Sequence, residues 1–438
     1  MSNLVTYKLG DICNVTDYVA NGSFAALNEN VEYLDTKDYA VMIRLVDYNS
    51  NWKSSLLYTT KKSYEFLKKS SLNPGDVVIA NVGANAGTIF RVPNLGMPMT
   101  LAPNAVACFP KELDILDRDF LYYYFLSSNG QWSISTILGG SAQPKFNKTD
   151  FRSLELSVPA IDDQKAISHI LGTLDEKIEL NKNTIETLEK ISKALFKSWF
   201  IDFDPVRAKE EGRSTGLSYE MSDLFPNSFE DSEIGEIPKD WKIKSLDEIA
   251  TYLNGLALQK FPSKGDASDL PVIKIAQLRK GNSKDSDKCS SNIAEKYIIS
   301  DGDILFSWSG SLLVDIWTGG VGALNQHLFK VTSDIYKKWF ILHWTKFHLQ
   351  EFQRIAKSKA TTMGHIQRKN LSEAKIILPP KELMKEITAI FEPLLEREIN
   401  ARLESKFLFQ LRDSILPKLI SGEIRIPDAQ KLVEELGI

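Results

Sequence analysis

From Ile161 to Phe203 apolar side chains recur in alternating steps of four and three residues: Ile167, Leu171, Leu174, Ile178, Ile185, Leu188, Leu195 and Trp199, with Asn181 and Ser192 completing the series. That spacing is a heptad seam, so the stretch predicts one long amphipathic helix. The two polar seam positions either set the register of a coiled coil or mark edges of the stripe. A second copy lies 220 residues further on, where Ile167, Leu174, Leu188 and Leu195 become Ile387, Leu394, Leu408 and Ile415, and Pro159 becomes Pro379. Here Glu398, Ala401, Ser405 and Arg412 interrupt the seam, which is expected to shift onto Ile399, Leu403 and Phe407. A repeat this widely spaced is not a solenoid; it predicts two copies of a globular unit, each followed by a helix.

Ahead of each helix the period shortens and turn residues multiply. Asn73-Pro74-Gly75-Asp76 feeds the apolar run Val77 to Ala80, and Ser300-Asp301-Gly302-Asp303 feeds Ile304 to Phe306, so each copy has a turn entering a buried strand. Thr88 to Val92 and Ala105 to Phe109 are strand-like, whereas Asp119 to Leu126 is either a helix or a buried strand. Equivalent positions are offset by 237, 227 and then 220 residues, at Leu9 and Leu246, Asp76 and Asp303, and Pro159 and Pro379. Framework segments therefore match while the segments between them change length, the pattern of one scaffold with different surface loops. The expected organisation is a first domain over 1–160, a helix over 161–203, an acidic, proline-broken connector over 204–240, a second domain over 241–379, a helix over 380–420 and a tail over 421–438.

Composition narrows the class without naming a function. The 438 residues are 43% hydrophobic and 25% charged, with no apolar run near the roughly 20 residues needed to cross a bilayer, and the N-terminus lacks a secretory signal, so a cytoplasmic protein is expected. Three scattered cysteines, Cys13, Cys108 and Cys289, argue against a disulfide framework or a C-x-x-C zinc site. Net charge is −4 and the pI about 5.9, so any contact with nucleic acid has to be local.

No catalytic arrangement stands out. Gly83-Ala84-Asn85-Ala86-Gly87-Thr88 lacks the lysine of a phosphate loop and is read as tight-turn glycines; His343 and His348 are five apart, which is not a zinc-protease spacing; Asp204-Pro205-Val206 fails as a base-methyltransferase loop. What remains is basic loops. Lys145 and Lys148 sit before the first long helix, and Lys357, Lys359, His365, Arg368 and Lys369 occupy the same place before the second, in KSKATTMGHIQRK, a window without an acid. Arg279 and Lys280 lie in a further basic cluster diluted by Asp285 and Asp287. These are candidate nucleic-acid contacts. The second basic loop replaces Pro144 with Gly364, which leaves its conformation open. Phe196, Trp199, Phe200 and Phe203 end the first long helix, as core packing or as a partner-docking surface.

The passage GGSAQPKFNKTDFRSLELSVPAIDDQKAI, the helix end LFKSWFIDFDPVRAK, the restart DSEIGEIPKDW and the terminal SILPKLISGEIRI, taken with the doubled architecture, resemble the specificity subunit of a type I restriction-modification system. The resemblance covers essentially the whole chain. It implies an α+β chain in which two α/β target-recognition domains, related by a pseudo-twofold repeat, are separated by two long helices forming an antiparallel coiled coil. It implies no catalysis by this chain, no cofactor or metal of its own, and a bipartite double-stranded DNA site of which each domain reads one half. The implied partners are two modification subunits carrying S-adenosylmethionine, and restriction subunits using ATP and Mg for translocation. Two alternatives stay open: the specificity subunit of a related methylation or restriction system, and a coiled-coil scaffold that does not bind DNA. A self-sufficient fused enzyme would need a segment for a methyltransferase or nuclease domain, and none is left unassigned.

Overall fold

The computed structural model describes residues 4–140, 143–358 and 364–437. It divides into two compact units, Met1–Ile178 with Phe407–Ile438, and Glu179–Lys406. The division falls inside both long helices, Ile161–Phe196 and Lys381–Ser421, so each unit owns a piece of each.

In the first unit a four-stranded antiparallel sheet runs in the order Cys13–Asp17, Ala105–Pro110, Val77–Ala80, Ile89–Arg91. A second sheet has the order Leu57–Thr59, Ala40–Ile43, Met99–Leu101, Ser71–Leu72, its middle pair parallel. Val5–Lys8 pairs with Glu155–Val158 and so brings the chain's start to the foot of the first long helix. The second unit repeats all three sheets: Thr251–Asn254, Leu328–Thr332, Ile304–Ser307, Leu313–Ile316; then Lys288–Cys289, Leu270–Ile273, Gly322–Leu324, Ile298–Ile299; then Lys242–Ser245 with Lys375–Leu378. Even the entering turns coincide. Gly75 and Gly302 adopt φ of 88° and 87°, which a side chain resists, and the Asp76 and Asp303 carboxylates accept the Asn73 and Ser300 amides at 2.8 and 2.9 Å. The open choice at Asp119 to Leu126 resolves as a helix, Arg118–Leu126, with Phe120, Leu121, Tyr123, Tyr124 and Phe125 buried.

Contacts inside each unit set the direction of helix pairing. In the second, Asn181 Nδ2 donates to Glu404 Oε2 (2.8 Å), Arg402 Nη2 to Glu189 Oε1 (2.7 Å), and Trp199 meets Phe391. Residue numbers rise on one helix as they fall on the other, so the helices are antiparallel. In the first unit Arg412 meets Asp175 at 2.7 Å, and Ile167 lines one cavity with Leu419 and Ile420, again antiparallel. The second seam does not shift. Glu398 and Ala401 are buried at the positions matching Ile178 and Asn181, while Ile399 and Leu403 are half-buried and Phe407 is exposed. Ion pairs make the charged seam tolerable: Arg402 reaches Glu398, Glu189 and Asp315, and Arg412 reaches Asp175, which also accepts the Tyr123 hydroxyl at 2.8 Å.

The first α-helix ends earlier than its apolar pattern predicts. Lys197–Ile201 forms a π turn, and Phe203, at φ 56° and ψ 35°, terminates it in the left-handed region. The stretch 204–240, expected as a connector, carries helices Asp204–Glu210 and Tyr219–Leu224 and a hairpin of Phe229–Ser232 with Gly235–Pro238; Val206, Met221, Phe225 and Ile237 are buried in the second unit's core. The tail holds helix Ile426–Glu434, with Ala429 and Val433 buried in the first unit's core. Cys13, Cys108 and Cys289 are buried free thiols. Among the described residues no helix is long and apolar enough to cross a membrane, and no group of three or more His, Cys, Asp or Glu could hold a metal.

Two stability tests arise from buried groups in the second unit. Three carboxylates share Arg402, and burial, ahead of the attraction of Arg402, pushes the Glu398 carboxyl above its ordinary pKa. A carboxyl raised in the folded state contributes stability at acid pH that is lost as pH rises through that raised value. E398Q should therefore be at least as stable as the parent at pH 7, by about 1 kcal/mol, whereas R402A should cost about 3 kcal/mol; denaturant melts decide both. His343, stacked on Phe196 at 5.0 Å and edge-on to Phe391, is held by burial at a pKa of about 3 against 6.5. A depressed histidine contributes stability above pH 6.5 that is lost as pH falls toward 3. H343F should flatten the acid-side slope in that window, measured as melting temperature against pH.

Candidate nucleic-acid interface

The two basic loops are seated by the same backbone hydrogen bonds in both units. In the first, Val82 and Lys145 form a β-bridge, Gly83 N donates to Pro144 O (2.9 Å), and Phe146 N donates to Asn81 O (3.1 Å). In the second, Ser309 bridges His365, Gly310 N donates to Gly364 O (2.8 Å), and Ile366 N donates to Trp308 O (3.0 Å). Each unit thus clamps the loop that precedes its long helix onto the end of the central strand, Val77–Ala80 or Ile304–Ser307. Replacing Pro144 with Gly364 leaves this pattern intact. Glycine is needed there, because a Cβ on Gly364 would stand 2.4 Å from Ala356 O. Gly83 and Gly87 have φ of 101° and 95°, the tight-turn role expected of them.

Side chains on the clamps differ. In the first unit Lys145 is exposed, and Lys148 Nζ lies 2.8 Å from Asp17 Oδ1, so half of that loop's charge is already paired. Asn81 gives its amide to Phe146 O, and its Oδ1 is buried without a partner among the described residues, an acceptor that would gain from an incoming donor. In the second unit Arg368 reaches Tyr252 O at 3.2 Å and lies 5.6 Å from the Phe329 ring centre, and Lys369 pairs with Glu373. Lys357 is exposed at the end of helix Lys338–Ser358, and Lys359 lies outside the described residues. Arg279 and Lys280 are exposed on the last turn of helix Ile275–Lys280; a Cβ on Gly310 of the clamp would stand 3.7 Å from Ile275, at that helix's other end.

A polar-aromatic cluster beside the second clamp has no counterpart in the basic-loop pattern. Trp308 donates Nε1–H to Asn254 Oδ1 (2.9 Å), stacks on Phe329 and meets His365 edge-on. His327 Nδ1 is 2.9 Å from Ser309 Oγ, and its Nε2 is 3.3 Å from the Gln326 amide nitrogen. These groups come from four separate segments, which hid them from a linear reading; the one signal was Trp308 and Gln326-His327 standing where strands should simply turn. The Ser309–His327 contact is not a hydrolase pair, since the hydroxyl is buried and the second ring nitrogen faces an amide instead of an orienting carboxylate. The cluster offers amide, imidazole and guanidinium groups, the types that read base edges.

Residues 1–190 and 238–406 match the family model of the type I restriction modification DNA specificity domain. The chain belongs to this family. The two matched segments each contain one clamp. Among specificity-family relatives, the MjaIX specificity subunit of Methanocaldococcus jannaschii is 28% identical over 341 residues, 76% of this chain and 74% of that protein. The HindI specificity subunit of Haemophilus influenzae is 26% identical over 418 residues, 81% and 88% of the two chains. The crystal structure of the S subunit from M. genitalium superposes with a TM-score of 0.55 at 14% identity, covering 96% of each chain, and shares the fold.

The aromatic cluster at the end of the first long helix is core. Phe196, Trp199, Phe200 and Phe203 are buried among Phe225, Trp241, Trp339, Trp344 and Phe391. They do not form the exposed docking surface entertained for them.

The clamp makes its own test. G364A places a methyl group against backbone that cannot move aside, and should destabilise the second unit by about 2 kcal/mol; P144A in the first should cost under about 1 kcal/mol. Thermal melts of the two variants compare them directly.

Proposed function

We propose that this chain is the DNA-recognition subunit of a type I restriction-modification enzyme, without catalysis of its own, each unit's clamp reading one half of a bipartite double-stranded site. The observation that carries the proposal is the doubled clamp: one backbone pattern bearing two different sets of side chains, within the two segments matched by the family model. In this proposal Asn254, Gln326, His327 and His365 of the second unit meet base edges, while Lys145, Lys357, Arg279 and Lys280 take phosphates. S-adenosylmethionine, ATP and Mg belong, in this proposal, to the modification and restriction subunits, in a cytoplasmic assembly.

Exposed Leu180, Ile191 and Ile390 on the long helices of the second unit replace the buried aromatics as the proposed surface for a modification subunit. The helices are proposed to set the spacer between half-sites. One heptad inserted in each long helix adds about 10 Å, or about three base pairs at ~3.4 Å each.

Mapping methylated positions in cells with and without this chain should give two half-sites separated by a fixed spacer, present only with the chain. The heptad variant should keep both half-sites and lengthen the spacer by about three base pairs. An unchanged spacer rejects the ruler role, and methylation indifferent to the chain rejects DNA recognition in favour of a scaffold.

A further inference from the structure

The first unit carries a second basic feature that no sequence motif announced: Lys61, Lys62, Lys68 and Lys69, on helix Lys61–Phe66 and the turn Lys68–Ser70. All four are exposed, and among the described residues none of their ammonium groups meets a carboxylate. In the candidate clamp loops, by contrast, Lys148 and Lys369 are already paired. Four unneutralised charges within nine residues, with Glu65 the one acid among them, repel over a screening length of about 8 Å at physiological salt. No ion pair among the described residues offsets that repulsion.

The backbone beneath the lysines is fixed. Thr16 Oγ1 donates to Lys69 O (2.6 Å), Lys69 N donates to Asn21 Oδ1 (3.0 Å), and Asn21 Nδ2 donates to Ser70 Oγ (2.7 Å). Thr16 precedes Asp17, which holds Lys148 of the clamp loop, so the basic turn and the clamp share one support. At the other end Lys61 lies 5.9 Å from the Tyr39 ring centre, and Tyr39 packs on Tyr64.

The repeat shows that the turn does not require Lys68. In the second unit the same short turn, Glu295–Tyr297, leads into strand Ile298–Ile299 as Lys68–Ser70 leads into Ser71–Leu72, and Glu295 stands in the place of Lys68. Lys296 keeps the charge of Lys69, so the scaffold is kept while the lysine pair falls to one lysine beside an acid; the turn folds without the pair, which assigns the added charge to what the first unit binds.

We propose that Lys61, Lys62, Lys68 and Lys69 are a phosphate grip, holding the DNA backbone beside the bases that the first unit's clamp reads. The proposal rests on the DNA-recognition reading and adds to it a contact that is blind to sequence. Rigid backbone with mobile ammonium groups suits that task, because lysine meets phosphate as a point charge without fixed geometry.

The test uses the full chain assembled with its modification subunits, and two duplexes: one carrying the mapped site, one with both half-sites scrambled. K68Q/K69Q should lower the slope of log affinity against log salt by roughly 1.8, about 0.9 for each phosphate deprived of its lysine. Both duplexes should weaken by a similar factor, on the order of tenfold, with the methylated sequence unchanged. K68R/K69R should restore the parent slope, which a merely folded but inert patch would not do. An unchanged slope with intact site-specific methylation overturns the grip and leaves DNA recognition standing. Weakening confined to the specific duplex also overturns it, because the lysines would then read bases. Absence of specific binding by the parent complex overturns DNA recognition itself.

Discussion

Everything in each unit hangs on an arginine of the second long helix held between carboxylates. In one unit Arg412 binds Asp175 of the first long helix, and that same carboxylate takes the Tyr123 hydroxyl and lies 3.4 Å from Arg91 on the edge strand. In the other, Arg402 binds Glu189 of the first long helix and Asp315 on the corresponding edge strand. Each tie therefore joins three parts: both helices and the sheet whose strand end carries the clamp. A hydrophobic seam alone tolerates sliding by a heptad, but a half-buried arginine that slides leaves several charges without partners. Register is fixed by the penalty for error.

With helix and sheet locked, the clamp can be the same twice while its side chains differ. Backbone hydrogen bonds carry no information about side chains, so Pro144 or Gly364, Lys145 or His365, Asn81 or Trp308 can occupy equivalent places. Only sterics discriminates, as Ala356 does against any side chain at 364. A scaffold of this kind lets recognition change by substitution at strand ends without disturbing the core.

Much of this was legible in the sequence. The doubled turn around Gly75 and Gly302, the heptad stripe and the position of the basic loops are local patterns, and local patterns survive in a linear reading. Three things were not. The choice between core and docking surface for Phe196, Trp199, Phe200 and Phe203 depends on what covers the helix end, and the residues that do so, Phe225, Trp241, Trp339, Trp344 and Phe391, are distant in sequence. The cluster around Trp308 needs residues 254, 308, 327 and 365 side by side, which only sheet topology supplies. Nor does composition tell a paired lysine from a free one: Lys148 and Lys369 look in sequence like Lys68 and Lys69, and differ only in having Asp17 and Glu373 within reach.

That last distinction resolves the apparent conflict between an acidic chain and an anionic ligand. Attraction to a polyanion within a screening length of about 8 Å depends on charge within that distance, not on the net charge of 438 residues. A carboxylate bonded to a neighbouring arginine, as in both ties, cancels a charge that the ligand would otherwise meet, and so does a lysine bonded to an aspartate. What remains on the surface is the unpaired remainder, and its placement is uneven. In the first unit it lies on the short helix and turn beside the clamp, and in the second it includes Arg279 and Lys280 at the end of a helix that begins against the clamp. On one scaffold, then, the surface cations fall differently: the turn that holds the pair Lys68 and Lys69 in the first unit holds Glu295 and Lys296 in the second, where Arg279 and Lys280 lie on another element.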